Sequence, residues 1–134
     1  MSPDGSETLA DIPVPSVVAI LPCNDLDAAE AWWNRLGFRR PVSRDDDDYR
    51  VLSDDVGASV HLTKTVEGWV VPGRNPFGVY ICTPRVDELA RAAEDAVVGP
   101  SRRPEHKPWG MYEIALNGPD DLLVRIGWPS RLKL

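Results

Sequence analysis

The sequence predicts an α+β domain in which one pattern, strand–helix–strand–hairpin, runs through the chain twice. Three observations lead there. Residues 111–116 and 122–126 are strand-like runs separated by Asn117-Gly118-Pro119-Asp120-Asp121. That separator is a dense turn signal, because glycine permits positive φ, proline presets φ and Asx side chains bond their own backbone. Two amphipathic helical patterns each follow a short apolar run, the helix beginning at Asp25-Leu26 in one half and Val86-Asp87 in the other. Acidic turns, Asp54-Asp55 and Asp120-Asp121, stand at corresponding places in the halves. Two halves with one-sided sheets must bury their apolar faces on each other or on a second chain.

Taken in order, residues 17–21 form a continuous apolar run, short enough for a buried strand and ended by Pro22. Asn24 or Asp25 caps a helix, since a short oxygen side chain accepts from the free N–H groups of its first turn. Leu26, Ala29, Trp33 and Leu36 recur at helical spacing and make its apolar face, which places Trp33 in the core. Gly37 suits the position after the helix end. Residues 38–42 lead away as a strand, and the run Asp45-Asp46-Asp47-Asp48 is too charged to be buried. Residues 49–52 and 58–63 read as a hairpin around the turn at 53–57. Residues 67–78 form a long loop with Pro72, Gly73, Pro76 and Gly78, and loops of that length in a small domain are often functional. The pattern then restarts with a strand at 79–82 and a helix opened by Pro84 with Val86, Leu89, Ala90, Ala93 and Val97 on one face. A faint strand between 97 and 104 and the final hairpin complete it. Residues 1–12 are expected to be a flexible tail, and 13–134 one domain of two repeats, about 14–66 and 77–128.

Composition excludes several classes. The chain has 134 residues, enough for one domain with a real core, and no apolar run long enough to cross a bilayer. The polar, acidic N-terminus lacks the basic and apolar regions of a secretory signal, which points to a cytoplasmic protein with no membrane partner. A formal net charge of −6 disfavours nucleic acid and favours a cationic partner. Cys23 and Cys82 form no CxxC pair, so both are read as buried free thiols.

The segments Leu21-Pro22-Cys23-Asn24-Asp25-Leu26 and Trp32-Trp33-Asn34-Arg35-Leu36-Gly37-Phe38, with the turn Gly118-Pro119-Asp120-Asp121-Leu122, resemble the vicinal oxygen chelate superfamily over about residues 14–128. The usual turn is D-P-D-G-N. Gly118 replaces its aspartate and Asp121 its glycine, which predicts a different or looser turn. Lys107-Pro108-Trp109-Gly110-Met111-Tyr112-Glu113-Ile114-Ala115-Leu116, Asp54-Asp55-Val56, and Val70-Val71-Pro72 with Asn75 are more similar still to bleomycin resistance proteins. The resemblance implies paired β-α-β-β-β modules, mixed curved sheets forming a cleft, and a homodimer with two clefts between the chains. It also implies antibiotic sequestration without catalysis, and no cofactor.

Metal-dependent members of the superfamily need three or four His, Glu or Gln ligands, because an ion in an open site must be held by several donors. The three ligand regions read Val17-Val18-Ala19-Ile20, Phe77-Gly78-Val79-Tyr80 and Val124-Arg125-Ile126, and offer none. Arg125 stands near the place of the family's last glutamate. His61 is read as a strand histidine facing solvent or satisfied by a neighbour, and His106 as an exposed loop residue. No metal site and no catalytic residue are therefore expected. The alternatives are a metal-dependent lyase, dioxygenase or thiol transferase with atypical ligands, and a binder of another aromatic natural product.

The candidate ligand-binding residues are aromatic and acidic. Flat heteroaromatics stack on rings in offset geometry. Trp109 is held between Pro108 and Gly110 at a strand entrance, a place suited to a surface or cleft. By resemblance, Tyr49 and Trp109 sandwich the heteroaromatic group of a bleomycin-type antibiotic or a similar cationic aromatic molecule. Trp69 lies in the long loop, where an exposed tryptophan needs a ligand or partner. Tyr80, Tyr112, Phe38 and Trp32 are further available rings, Trp32 as cleft rim or dimer contact. Glu113 faces either the cleft or the dimer surface. Asp48 abuts Tyr49 and is placed to attract a cationic tail.

Overall fold

The computed structural model describes residues 15–41 and 48–133. The expected N-terminal tail, Val42 and the Asp45-Asp46-Asp47 part of the acidic run lie outside the described residues. The protein is α+β, with two mixed sheets and a helix against one face of each.

The first sheet holds β1 (Ala19–Cys23), β2 (Tyr49–Ser53) and β3 (Ser59–Lys64) in the order β1-β3-β2, with β1 parallel and β2 antiparallel to β3. The strand β1 does not stop at Pro22 but runs through it to Cys23. Proline is tolerated there because β1 is an edge strand, so a missing N–H leaves no ladder bond unmade on the free side. Helix α1 (Leu26–Arg35) starts at Asp25, whose Oδ1 accepts from the Ala28 N–H at 3.0 Å. Leu26, Ala29, Trp33 and Leu36 are all buried, and Gly37 ends the helix at φ +88°. Glu30 on α1 accepts from Arg40 at 2.7 Å and Arg50 at 2.8 Å, tying the helix to β2. The β2–β3 turn is closed by Asp54, whose Oδ1 accepts from the N–H groups of Val56 and Ala58. In place of the strand expected from residue 38, a single bridge joins Arg39 to Ser53.

The second sheet holds β4 (Gly78–Cys82), β5 (Val97–Val98), β7 (Met111–Asn117) and β8 (Leu123–Pro129) in the order β4-β8-β7-β5, with β6 (Glu105–His106) also on β7. Helix α2 covers Val86–Ala92, followed by a 3₁₀ turn at Glu94–Ala96. Val97 was expected on the helix face. It is buried, but as a strand residue paired with Leu116, where a β-branched side chain packs well. The altered final turn is a 3₁₀ turn in which Asp120 and Asp121 take φ of 57° and 59°. Asp121 thus adopts the left-handed conformation in the family's glycine position, and Asn117 donates to its carboxylate at 3.0 Å.

The halves share one core, with Trp33, Leu36, Leu52 and Leu62 from the first and Leu89, Leu116, Val124 and Ile126 from the second. Asp120 stitches them together, accepting from the Asn24 backbone at 3.0 Å and its side chain at 2.9 Å. Cys23 is buried, and that burial holds its thiol up at about 11. Cys82, against expectation, is exposed, because strand alternation turns it away from the buried Ile81. Among the described residues no helix is long and apolar enough to cross a membrane.

Candidate functional site

Strand alternation sends Ile81, Ile114, Leu116, Val124 and Ile126 into the core. Their neighbours Tyr80, Glu113, Arg125 and Gly127 therefore share the opposite face of the second sheet. Register sets their spacing: Tyr80 pairs with Arg125 across β4 and β8, and Glu113 pairs with Gly127 across β7 and β8.

Glu113 is only 3% exposed and is the hub of this face. Its carboxylate accepts from the Tyr80 hydroxyl at 2.6 Å, from the Trp109 indole N–H at 3.1 Å and from Arg125 Nη1 at 3.4 Å. Burial, the hydrogen bond to Glu113 and the charge of Glu113 together hold the Tyr80 phenol well above its ordinary range. Tyr80 reaches Glu113 by crossing β8 over Gly127. A Cβ at 127 would stand 1.9 Å from the Tyr80 hydroxyl oxygen and 2.9 Å from Glu113 Cβ. Gly127→Ala is therefore expected to expel Tyr80 from the hub and to cost about 1–3 kcal/mol of stability through overpacking. Thermal unfolding checks this, and a melting temperature equal to wild type would refute it.

Trp109 stands beside the hub on a tight turn. Gly110 N–H donates to the Lys107 carbonyl at 3.0 Å, and Lys107 N–H donates to the Met111 carbonyl at 2.7 Å. Gly110 has φ +88°, a conformation glycine adopts without strain. Trp109 is 61% exposed.

The other candidate residues are not gathered at this point. Tyr49 lies on the first sheet, its hydroxyl 2.6 Å from His61 Nδ1, with the two rings edge to face. Asp48 is exposed next to it, and its carbonyl accepts from the Lys64 N–H. Trp69 is exposed on the rim of a cavity of about 330 Å³ that Ile20, Trp33, Val71, Phe77 and Leu122 also line. Tyr80 also borders a second cavity, of about 470 Å³, with Val60, Arg85 and Trp128. Phe38 lies beneath that second cavity but is 1% exposed and packs edge-on against Trp33, so it is a core ring rather than a free plate. Tyr112 turns toward α2, where its hydroxyl donates to Asp87 and Lys133 sits over its ring. It buttresses the helix instead of facing Trp109. Trp32 is half-buried against the core, edge-on to Trp33. His106, exposed as expected, lies 2.8 Å from the Ser130 hydroxyl.

Sequence reasoning missed Gly127 and the Tyr80–Glu113 bond. The signal for them was weak: a glycine inside a strand pattern often marks a close approach of another group. Among the described residues no group of three or more His, Cys, Asp or Glu side chains stands ready to hold a metal ion.

No family model and no curated protein matches the chain. Solved structures do. A bleomycin-binding protein in complex with bleomycin aligns with TM-score 0.67 at 23% identity, covering 86% of this chain and 98% of that one. The chain has the fold of the bleomycin-binding proteins. A bleomycin resistance determinant encoded on the transposon Tn5 aligns at TM-score 0.69 and 23% identity, covering 87% of this chain and 98% of that one. The fold is also that of a protein named as an enzyme. A lactoylglutathione lyase from Agrobacterium tumefaciens aligns at TM-score 0.60 and 19% identity, covering 92% of this chain and 100% of that one.

Proposed function

We propose that this protein binds a bleomycin-type antibiotic, or a similar cationic aromatic small molecule, and sequesters it without chemistry. The observation that carries the reading is Trp109, an exposed tryptophan on a tight turn, hydrogen-bonded to a buried carboxylate on the sheet face away from the helix. Such a ring is a stacking plate. Likeness in fold to a bleomycin-binding protein solved with bleomycin supports this choice of ligand class.

The binding unit is a homodimer with two clefts, each lined by both chains. Each sheet has its helix on one face only, and the other face of the first sheet carries exposed Ile20, Tyr49 and Val51. A second copy covers such a face at little cost in polar desolvation. Tyr49 is then the second plate, offered by the partner chain, with Asp48 beside it for the cationic tail. Trp69 and Tyr80 form the flanks of the cleft.

The test is titration of metal-free bleomycin into the protein, read by quenching of tryptophan fluorescence, with sedimentation on the same samples. Saturable quenching by a dimer is expected. A monomer at micromolar concentration that bleomycin does not quench would end this reading. Likeness to a lactoylglutathione lyase favours a second reading, a metal-dependent enzyme with atypical ligands. Metal analysis of protein purified without chelator separates the two, since about one tightly held ion per chain is expected only of the enzyme.

A further inference from the structure

We infer that Glu113 is the positioning residue for the Trp109 ring, fixing the stacking plate before any ligand arrives. The inference rests on the binding function proposed above and names the device that makes its site rigid. A tryptophan that is 61% exposed on a loop would ordinarily exchange rotamers and give its indole N–H to water. Here the N–H donates to a carboxylate that is itself 3% exposed. A bond to a charged acceptor is about twice as strong as a neutral one, and burial of the acceptor keeps water from competing for it.

The acceptor is held in turn. Tyr80 and Arg125 also donate to the Glu113 carboxylate, from β4 and β8, so it is gripped from two neighbouring strands. Tyr80 can take its place only because Gly127 has no side chain. Fixation therefore runs from Gly127 through Tyr80 and Glu113 to Trp109. Two consequences follow. The ordering of a large side chain is already complete in the free protein, which favours binding by roughly three- to tenfold over a free rotor. With its N–H engaged, the indole offers a ligand its π face alone, so the site selects flat aromatic groups by stacking and not by a hydrogen bond to the indole.

The test follows the indole N–H protons by ¹⁵N–¹H spectroscopy, with Trp109→Phe identifying the Trp109 signal. In the wild type the Trp109 N–H is expected to exchange with solvent more slowly than that of Trp69, a residue that is 78% exposed and for which no side-chain bond is formed among the described residues. Glu113→Gln conserves volume but replaces the carboxylate with an amide whose NH₂ opposes a donor. It is expected to speed Trp109 exchange severalfold and weaken metal-free bleomycin roughly three- to tenfold, with Trp33 exchange unchanged. Glu113→Leu should bring Trp109 exchange to the Trp69 rate. Wild-type exchange at Trp109 as fast as at Trp69, or exchange unaltered in Glu113→Gln, would overturn the inference. Slow, Gln-sensitive exchange in a protein that does not bind bleomycin would uphold the positioning role and overturn the ligand reading instead.

Discussion

Trp109→Ala is expected to weaken metal-free bleomycin about tenfold to a few hundredfold while leaving the fold and the melting temperature close to wild type. Trp109 is exposed and lies outside the core, so removal of its ring opens no cavity there. Glu113 retains Tyr80 and Arg125 as donors, and its buried charge stays paired. What is lost is the stacking partner and the apolar area that a ligand would cover. Together these amount to roughly 1.5–3 kcal/mol, which is the stated range of affinity. The other four tryptophans of the five in the chain still report binding by quenching. A large fall in melting temperature with unchanged affinity per folded molecule would show that Trp109 is a structural residue.

Trp33→Ala should do the reverse. Trp33 is 0% exposed and meets Trp32 and Phe38 edge to face, with ring centroids 5.2 and 5.3 Å away. Removing a buried ring costs the transfer of its surface plus the cavity left behind, about 3–5 kcal/mol. Against the roughly 5–15 kcal/mol that holds a typical domain together, this is a large fraction. The melting temperature is expected to fall by roughly 10–20 °C, and thermal unfolding measures it. A drop of only a few degrees would mean that the core closes over the gap. The half-buried Trp32, next in the chain, should cost less when truncated.

Local chemistry makes much of the fold legible in the sequence. The α1 cap at Asn24 or Asp25, which the structure places at Asp25, its buried face and its end at Gly37 are all set by neighbours within a few turns of one helix. The final hairpin and the β2–β3 turn were readable for the same reason, since Asx and glycine residues act on their own backbone. Strands without an apolar pattern left no such mark. The strand β6 is Glu105-His106, polar throughout, and exists only because β7 offers it an edge. The passage of β1 through Pro22 depends on that strand lying at the border of its sheet, a property of topology and not of the proline. Val97 shows the same limit, because a valine at helical spacing is equally able to pair with a strand.

The candidate site divides along the same line. Trp109 was legible as an exposed ring because Pro108 and Gly110 flank it. Composition could not separate Tyr80 from Tyr112, because both lie on strands with comparable neighbours. The pleat sends one to Glu113 and the other to Asp87 on α2. Which way each points is decided by the register of β4 and β7 against β8, and a shift of one residue would exchange their faces. The meeting of Glu113 with Gly127 likewise arises from strand pairing between residues on different strands. Which residues can stack, cap or turn is legible along the chain, because those properties are short-ranged. Strand pairing and packing alone bring a buried carboxylate, a tyrosine and a missing side chain together at one exposed tryptophan. Their separation along the chain carries no record of that distance in space.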